Sequence, residues 1–148
     1  MPKYRVLIAD DNMANVELLE AYLAGRGYDI ATAADGAETL VMAESFKPNL
    51  ILLDIMMPKL SGFEVCEELK SNPATRGIMI LMVTALTELG DIERAVTAGC
   101  NDYLSKPVNK AELLKRVENL LKLQSDADEI SRLRKYIDGM EDTYGPQK

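Results

Sequence analysis

The stretch Leu50-Ile51-Leu52-Leu53-Asp54-Ile55-Met56-Met57-Pro58 constrains the rest of the chain more than any other. Four aliphatic residues in succession predict a strand buried on both faces, and such a strand needs helices above and below it. A single carboxylate, Asp54, follows where that strand must end. Pro58 cannot donate to a ladder and, with Ser61-Gly62 behind it, marks a loop. Asp54 is thereby placed at the rim of a sheet. There it is either an ordinary turn residue or part of a site, and the strand alone does not decide between them.

The remaining chain supplies the helices this strand requires. Tyr4–Ala9 reads as a first strand, and Asn12 as the N-cap of a helix from Met13 to about Ala24 with Val16, Leu19, Tyr22 and Leu23 on one face. Gly25 or Gly27 ends it. Tyr28–Ala33 is a second strand. Asp35-Gly36-Ala37-Glu38 has capping-box spacing and opens a helix whose expected apolar face is Ala37, Leu40, Val41 and Phe46. A second box, Ser61-Gly62-Phe63-Glu64, starts a third helix carrying Phe63, Val65, Cys66 and Leu69. Ile78–Val83 is another unbroken apolar run ending at Thr84-Ala85. A helix from about Leu89 to Ala98 closes on Gly99, Asn101–Ser105 forms the last strand, and Asn109-Lys110-Ala111-Glu112 is a third box that opens the final helix.

Five strand–helix units in strict alternation predict a doubly wound parallel sheet with helices on both faces, class α/β. The two most apolar strands, 50–53 and 78–83, belong in the centre, the first strand beside them, and 28–33 and 101–105 nearer the edges; among the orders this allows, the flavodoxin-like 2-1-3-4-5 is the one expected. At 148 residues the chain is one domain plus a short appendage, expected as 1–123 and 124–148. No apolar run is long enough to span a bilayer, and no signal-peptide pattern opens the chain, so a cytoplasmic protein is expected. The absence of histidine and the wide separation of Cys66 and Cys100 exclude the usual zinc sites and His-dependent hydrolysis. A net charge of −7 disfavours nucleic acid as a partner.

Ligands of such sheets sit outside the carboxyl ends of the strands. The residues expected there are Asp10, Asp11, Asp54, Thr84 and Lys106. Three carboxylates in one small volume repel each other unless a cation enters, and oxygen-only ligands suit Mg²⁺. Lys106 and Thr84 add a point charge and a hydroxyl for anionic oxygens. Together these groups describe a site for placing a phosphoryl group on Asp54.

The acidic pair Asp10-Asp11, the run Leu-Leu-Asp54-Ile-Met-Met-Pro58-x-x-Ser-Gly62, Val-Thr84-Ala85 and Lys106-Pro107 resemble, over residues 3–123, the receiver domain of two-component response regulators. The resemblance implies that Asp54 is the phosphoacceptor. It also implies that Asp11, Asp54 and the Met56 carbonyl bind Mg²⁺, with Asp10 acting on the metal through water. Thr84 and Lys106 would contact the phosphoryl oxygens. Tyr103 would turn inward when Thr84 is drawn to the phosphate, and the Lys106-Pro107 peptide would be cis. The donor would be a histidine kinase or phosphotransfer protein, the output would run through the face around the fourth helix, last strand and fifth helix, and the only catalysis would be self-phosphorylation and self-dephosphorylation. A dehalogenase-type Mg²⁺ phosphotransferase would need an acid where Met56 stands. A flavin-binding protein would need a Ser/Thr/Gly-rich loop where Asp10-Asp11-Asn12 stands.

Beyond Leu123, the residues Leu123, Ile130, Leu133, Ile137 and Met140 fit heptad a and d positions, with Asp126 a misfit at d and Glu129 and Arg134 in g and e. A helix continuous from Asn109 to about Asp142 would run roughly 50 Å. Thr143-Tyr144-Gly145-Pro146 reads as a terminator or linker start. The extension is expected as a solvated helical end, as a segment through which the chain makes protein contacts, a dimer among them, or, in a longer regulator, as a stalk to an enzymatic or DNA-binding output domain.

Overall fold

The computed structural model describes residues 3–85 and 89–144; within these, the side chains of 89, 135 and 138–144 fall outside the description. Strands and helices alternate as β1 (Arg5–Ala9), α1 (Met13–Leu23), β2 (Asp29–Ala33), α2 (Gly36–Ser45), β3 (Leu50–Leu53), α3 (Gly62–Ser71), β4 (Met79–Thr84), α4 (Leu89–Ala98), β5 (Asp102–Ser105) and α5 (Lys110–Tyr144). The five strands form one parallel sheet in the order β2-β1-β3-β4-β5, as predicted. Of the predicted terminator Thr143-Tyr144-Gly145-Pro146, Thr143 and Tyr144 continue α5, whereas Gly145, Pro146 and the side chain of Met140 lie outside the described residues.

The period-2 geometry of a strand explains why β3 has no polar residue. Ile51 and Leu53 point into one apolar cluster, shared with Ala43 of α2, Phe63, Val65 and Leu69 of α3, and Ala95 and Ala98 of α4. Leu50 and Leu52 point into the other, shared with Val16, Leu19 and Leu23 of α1 and Leu113, Val117 and Leu121 of α5. Each such side chain contributes about 1.5–3 kcal/mol on burial, so both faces of β3 stabilise the sheet. Tyr103 lies on the face covered by α2, α3 and α4, whereas its neighbour Leu104 lies on the other.

Helix starts follow the predicted caps, with one difference. Asn12, Asp35, Ser61 and Asn109 each accept a backbone N–H three residues on. The reciprocal glutamate bond is formed, among the described residues, only at Ser61–Glu64. At α2 the cap is itself a carboxylate and repels a second one. At α5 the Glu112 carboxylate turns to Arg116 instead, at 3.3 Å.

The apolar face of α2 differs from the expected one. Gly36, Thr39 and Ala43 are buried, Leu40 and Phe46 are half-buried, and Ala37 and Val41 are exposed, Val41 by 65%. The reason is a close approach: a Cβ at Gly36 would fall 2.5 Å from the Leu60 carbonyl oxygen and 2.6 Å from Leu60 Cβ. The helix turns its smallest residues toward the loop after β3, and Thr39 satisfies its hydroxyl by donating to the Asp35 carbonyl at 2.7 Å. Gly36→Ala is therefore expected to lower stability by about 1–3 kcal/mol, while Val41→Ser stays within about 0.5 kcal/mol of the wild type. Urea denaturation of the two variants checks the rotation, and the reverse ranking would contradict it.

α5 starts at the C-terminal rim of the sheet and runs back along it. Near its exit the Tyr4 hydroxyl and Ser125 Oγ are 2.7 Å apart, and Asn49 Nδ2 donates to Gln124 Oε1 at 3.4 Å. Both Cys66 and Cys100 are free thiols, and burial pushes the Cys66 thiol up to about 12.

Candidate functional site

Parallel pairing brings the ends of β1, β3 and β4 to one rim, and β5 extends it. The Asp10 amide donates to the Ala33 carbonyl at 3.1 Å and the Asp54 amide to the Ala9 carbonyl at 2.9 Å, so both acids begin where the ladder finishes. The Lys106 amide donates to the Thr84 carbonyl at 2.9 Å, which fixes Lys106 beside β4. The Lys106-Pro107 peptide is cis. The structure thus brings Asp10, Asp11, Asp54, Thr84 and Lys106 to one edge.

Their charges interact directly. Lys106 Nζ lies 3.2 Å from Asp10 Oδ2 and 3.4 Å from Asp54 Oδ2. One oxygen from each of Asp10, Asp11 and Asp54 falls within 4.8 Å of the others. Asp10 and Asp54 are only 3% and 6% exposed, whereas Asp11 faces solvent. Three carboxylates against one ammonium leave a local charge of −2, which is the donor set and the deficit that a hard divalent cation fits. Burial raises the Asp54 carboxyl above the ordinary carboxylate value; Lys106 opposes that rise and Asp10 adds to it.

Backbone amides orient the two buried acids. Asn12 N–H donates to Asp10 Oδ1 at 2.9 Å, and Met56 N–H to Asp54 Oδ1 at 3.3 Å. Each carboxylate therefore turns its second oxygen toward Lys106. Thr84 is fully buried at the end of β4. Tyr103 sits one strand away, half-buried, its hydroxyl enclosed and without a hydrogen-bond partner among the described residues.

Several residues that shape the site escape a reading of chemical types. The loop after Asp54 folds back so that Gly62 N–H donates to the Ile55 carbonyl at 2.9 Å. A Cβ at Gly62 would sit 2.5 Å from the Asp54 carbonyl oxygen and 2.7 Å from Ile55 Cα, so only glycine permits this return. On the outer side, Lys59 adopts a left-handed conformation at φ 72° and reaches Asp35 Oδ2 at 3.2 Å. The Ser-Gly pair in sequence signals the first feature. Nothing in sequence signals the Lys59–Asp35 contact, which depends on how α2 meets the loop.

The family model described as response regulator receiver domain matches residues 6–118. The response regulator PleD of Caulobacter vibrioides is 43% identical over 85% of this chain and 28% of its own length. The DNA-binding dual master transcriptional regulator RpaA of Synechocystis is 41% identical over 80% of this chain and 49% of its own. This chain thus spans about half or less of the length of these curated relatives. Among solved structures, the receiver domain of the sensor histidine kinase PA1611 of Pseudomonas aeruginosa PAO1, which has a magnesium ion coordinated in its active site cleft, superposes with a TM-score of 0.75 at 32% identity, covering 82% of this chain and 99% of that one.

Proposed function

The chain belongs to the receiver domains of response regulators, and we propose that Asp54 is the carboxylate on which it accepts a phosphoryl group. The observation that carries this reading is the shared ammonium: Lys106 Nζ stands within 3.4 Å of both Asp54 and Asp10, at a rim where a third acid also arrives. Asp10, Asp11 and Asp54, with the Met56 carbonyl, would hold Mg²⁺, which when bound offsets the charge of the carboxylates and of an entering phosphoryl group.

The chain's own groups supply the rest. Met56 N–H holds one Asp54 oxygen, and the other attacks phosphorus as the bond between phosphorus and the donor nitrogen breaks, the electron pair leaving with the donor imidazole. Lys106 faces the oxygens that gain charge, and Thr84 supplies a hydroxyl from the end of β4. Water attacking the same phosphorus later releases inorganic phosphate and returns the carboxylate, so turnover is limited to the chain's own phosphoryl group. The donor is a histidine kinase or a phosphotransfer protein, and Thr84 and Tyr103 pass the change to the face of α4, β5 and α5. No described helix is long and apolar enough to cross a membrane.

Incubation with Mg²⁺ and acetyl phosphate should produce a hydroxylamine-sensitive adduct that peptide mapping places on Asp54, and excess EDTA should prevent it. Labelling at a different residue, or undiminished labelling in EDTA, would contradict the assignment.

A second reading concerns the output. The chain covers 28% of PleD and 49% of RpaA, and α5 continues well past the sheet. These facts favour a receiver whose α5 leads to an enzymatic or DNA-binding output domain in a longer protein.

A further inference from the structure

Past the sheet, α5 carries an apolar row that its own domain does not cover. Leu123, Ile130, Leu133 and Ile137 are 55%, 58%, 54% and 52% exposed, on a helix continuous from Lys110 to Tyr144. Their spacing is a, a, d, a of one heptad register, a seam of about 21 Å from Leu123 to Ile137. We propose that this row is the seam of a parallel two-stranded coil formed with a second copy of the chain.

Two features select that occupant. Isoleucine at successive a positions with leucine at d is the packing that favours two parallel strands, because a β-branched residue fits the a layer of a dimer. Glu129 at g stands five residues before Arg134 at e, so in a parallel pair of identical helices each Glu129 meets the partner copy's arginine at that position. Asp126 at d places like charges together in the first turn. It weakens the coil there, and the dimer should be concentration-dependent.

The fold fixes what such a pairing presents. α5 begins beyond Lys106 at the C-terminal rim, and its residues Gln124 and Ser125 bond to Asn49 and Tyr4, which precede β3 and β1. The helix therefore leaves from the end of the sheet opposite Asp54. A parallel coil holds both receivers at one end, with both acidic pockets turned away from the seam and open to a phosphodonor.

Light scattering of the full chain over a range of concentrations should show a monomer–dimer equilibrium, and Ile130→Glu with Ile137→Glu should leave a monomer that melts as the wild type does at concentrations too low for pairing and still labels on Asp54. A wild type that stays monomeric at every concentration would overturn the proposal, as would a dimer that survives the double substitution. Ile137→Cys should oxidise to a dimer linked at 137 in both chains; a dimer that does not form this link would overturn the parallel arrangement. Glu129→Arg or Arg134→Glu alone should raise the dissociation constant by about two- to fivefold, and the two together should restore it. Unchanged dissociation in all three would remove the charge pair from the seam.

Discussion

Asp54→Asn is expected to abolish Mg²⁺-dependent labelling by acetyl phosphate and, in the absence of metal, to raise the melting temperature at neutral pH. The first effect follows from removing the attacking oxygen at the proposed acceptor. The second follows from burial. Asp54 is 6% exposed with Asp10 against the same ammonium, and burial holds its carboxyl above the ordinary value of 3.8 in the folded state. An acid with a raised folded pKa binds more protons folded than unfolded in the window between the two values. Its contribution to stability is fully present below the ordinary value and is lost as pH rises through the raised one. At neutral pH the charged Asp54 therefore costs stability, and a neutral isostere removes that cost while Lys106 keeps Asp10 as its partner. Thermal melts in EDTA should show a gain of a few degrees at pH 7, on the order of 1 kcal/mol, shrinking toward pH 4. Adding Mg²⁺ should stabilise the wild type more than the variant, because ligand stabilisation scales with affinity for the folded state. A variant that melts lower than the wild type at pH 7 in EDTA would contradict the electrostatic account.

How far the fold could be read from sequence depended on which residues carried the information. β3 was legible because an all-aliphatic run can be satisfied only between two layers, and ranking the five runs by that criterion separated the central strands from the edge strands, while the full order rested on the flavodoxin-like topology. Asp10, Asp54 and Lys106 were legible as neighbours because a parallel sheet sends every strand's carboxyl end to one rim, whatever the loops do. The face of α2 was not legible. Val41 and Ala37 look apolar in a one-dimensional pattern, whereas the helix is turned by the missing side chain of Gly36, and an absent atom leaves no trace in hydrophobic periodicity. The clamp between Lys59 and Asp35 was hidden for a related reason. It joins two loops distant in sequence, and a lone surface lysine and a helix cap each have an ordinary local explanation. The half-built capping boxes at Asp35 and Asn109 show a simpler limit, since spacing reports which bonds are within reach and competing partners, such as Arg116 one turn further along α5, decide which form.

Lys106→Met separates the role of the ammonium in chemistry from its role in holding the rim together. In the wild type Nζ stands 3.2 Å from Asp10 and 3.4 Å from Asp54, and so occupies electrostatically the space a divalent cation would share. Removing it leaves three carboxylate oxygens within 4.8 Å of one another and, among the described residues, no ion-paired cation against Asp10 or Asp54. Mg²⁺ affinity should then rise by about tenfold, because a positive neighbour no longer opposes its entry. Labelling at saturating Mg²⁺ should nevertheless fall by roughly a hundredfold or more, the scale of losing one charged donor at a developing oxyanion. A lysine that merely supported the fold would lose both together, so the opposed directions are the diagnostic result. Stability should move as well. Lys106 holds the Asp54 carboxyl down against burial, so its loss raises that group further and widens the pH window in which the charged form costs stability. The metal-free variant should melt below the wild type at pH 7 and approach it as pH falls toward 4, and Mg²⁺ should restore most of the difference at neutral pH. Calorimetric titration with Mg²⁺, labelling rates and melts at the two pH values read the three effects independently. Weaker metal binding together with slower labelling would reduce Lys106 to a structural residue.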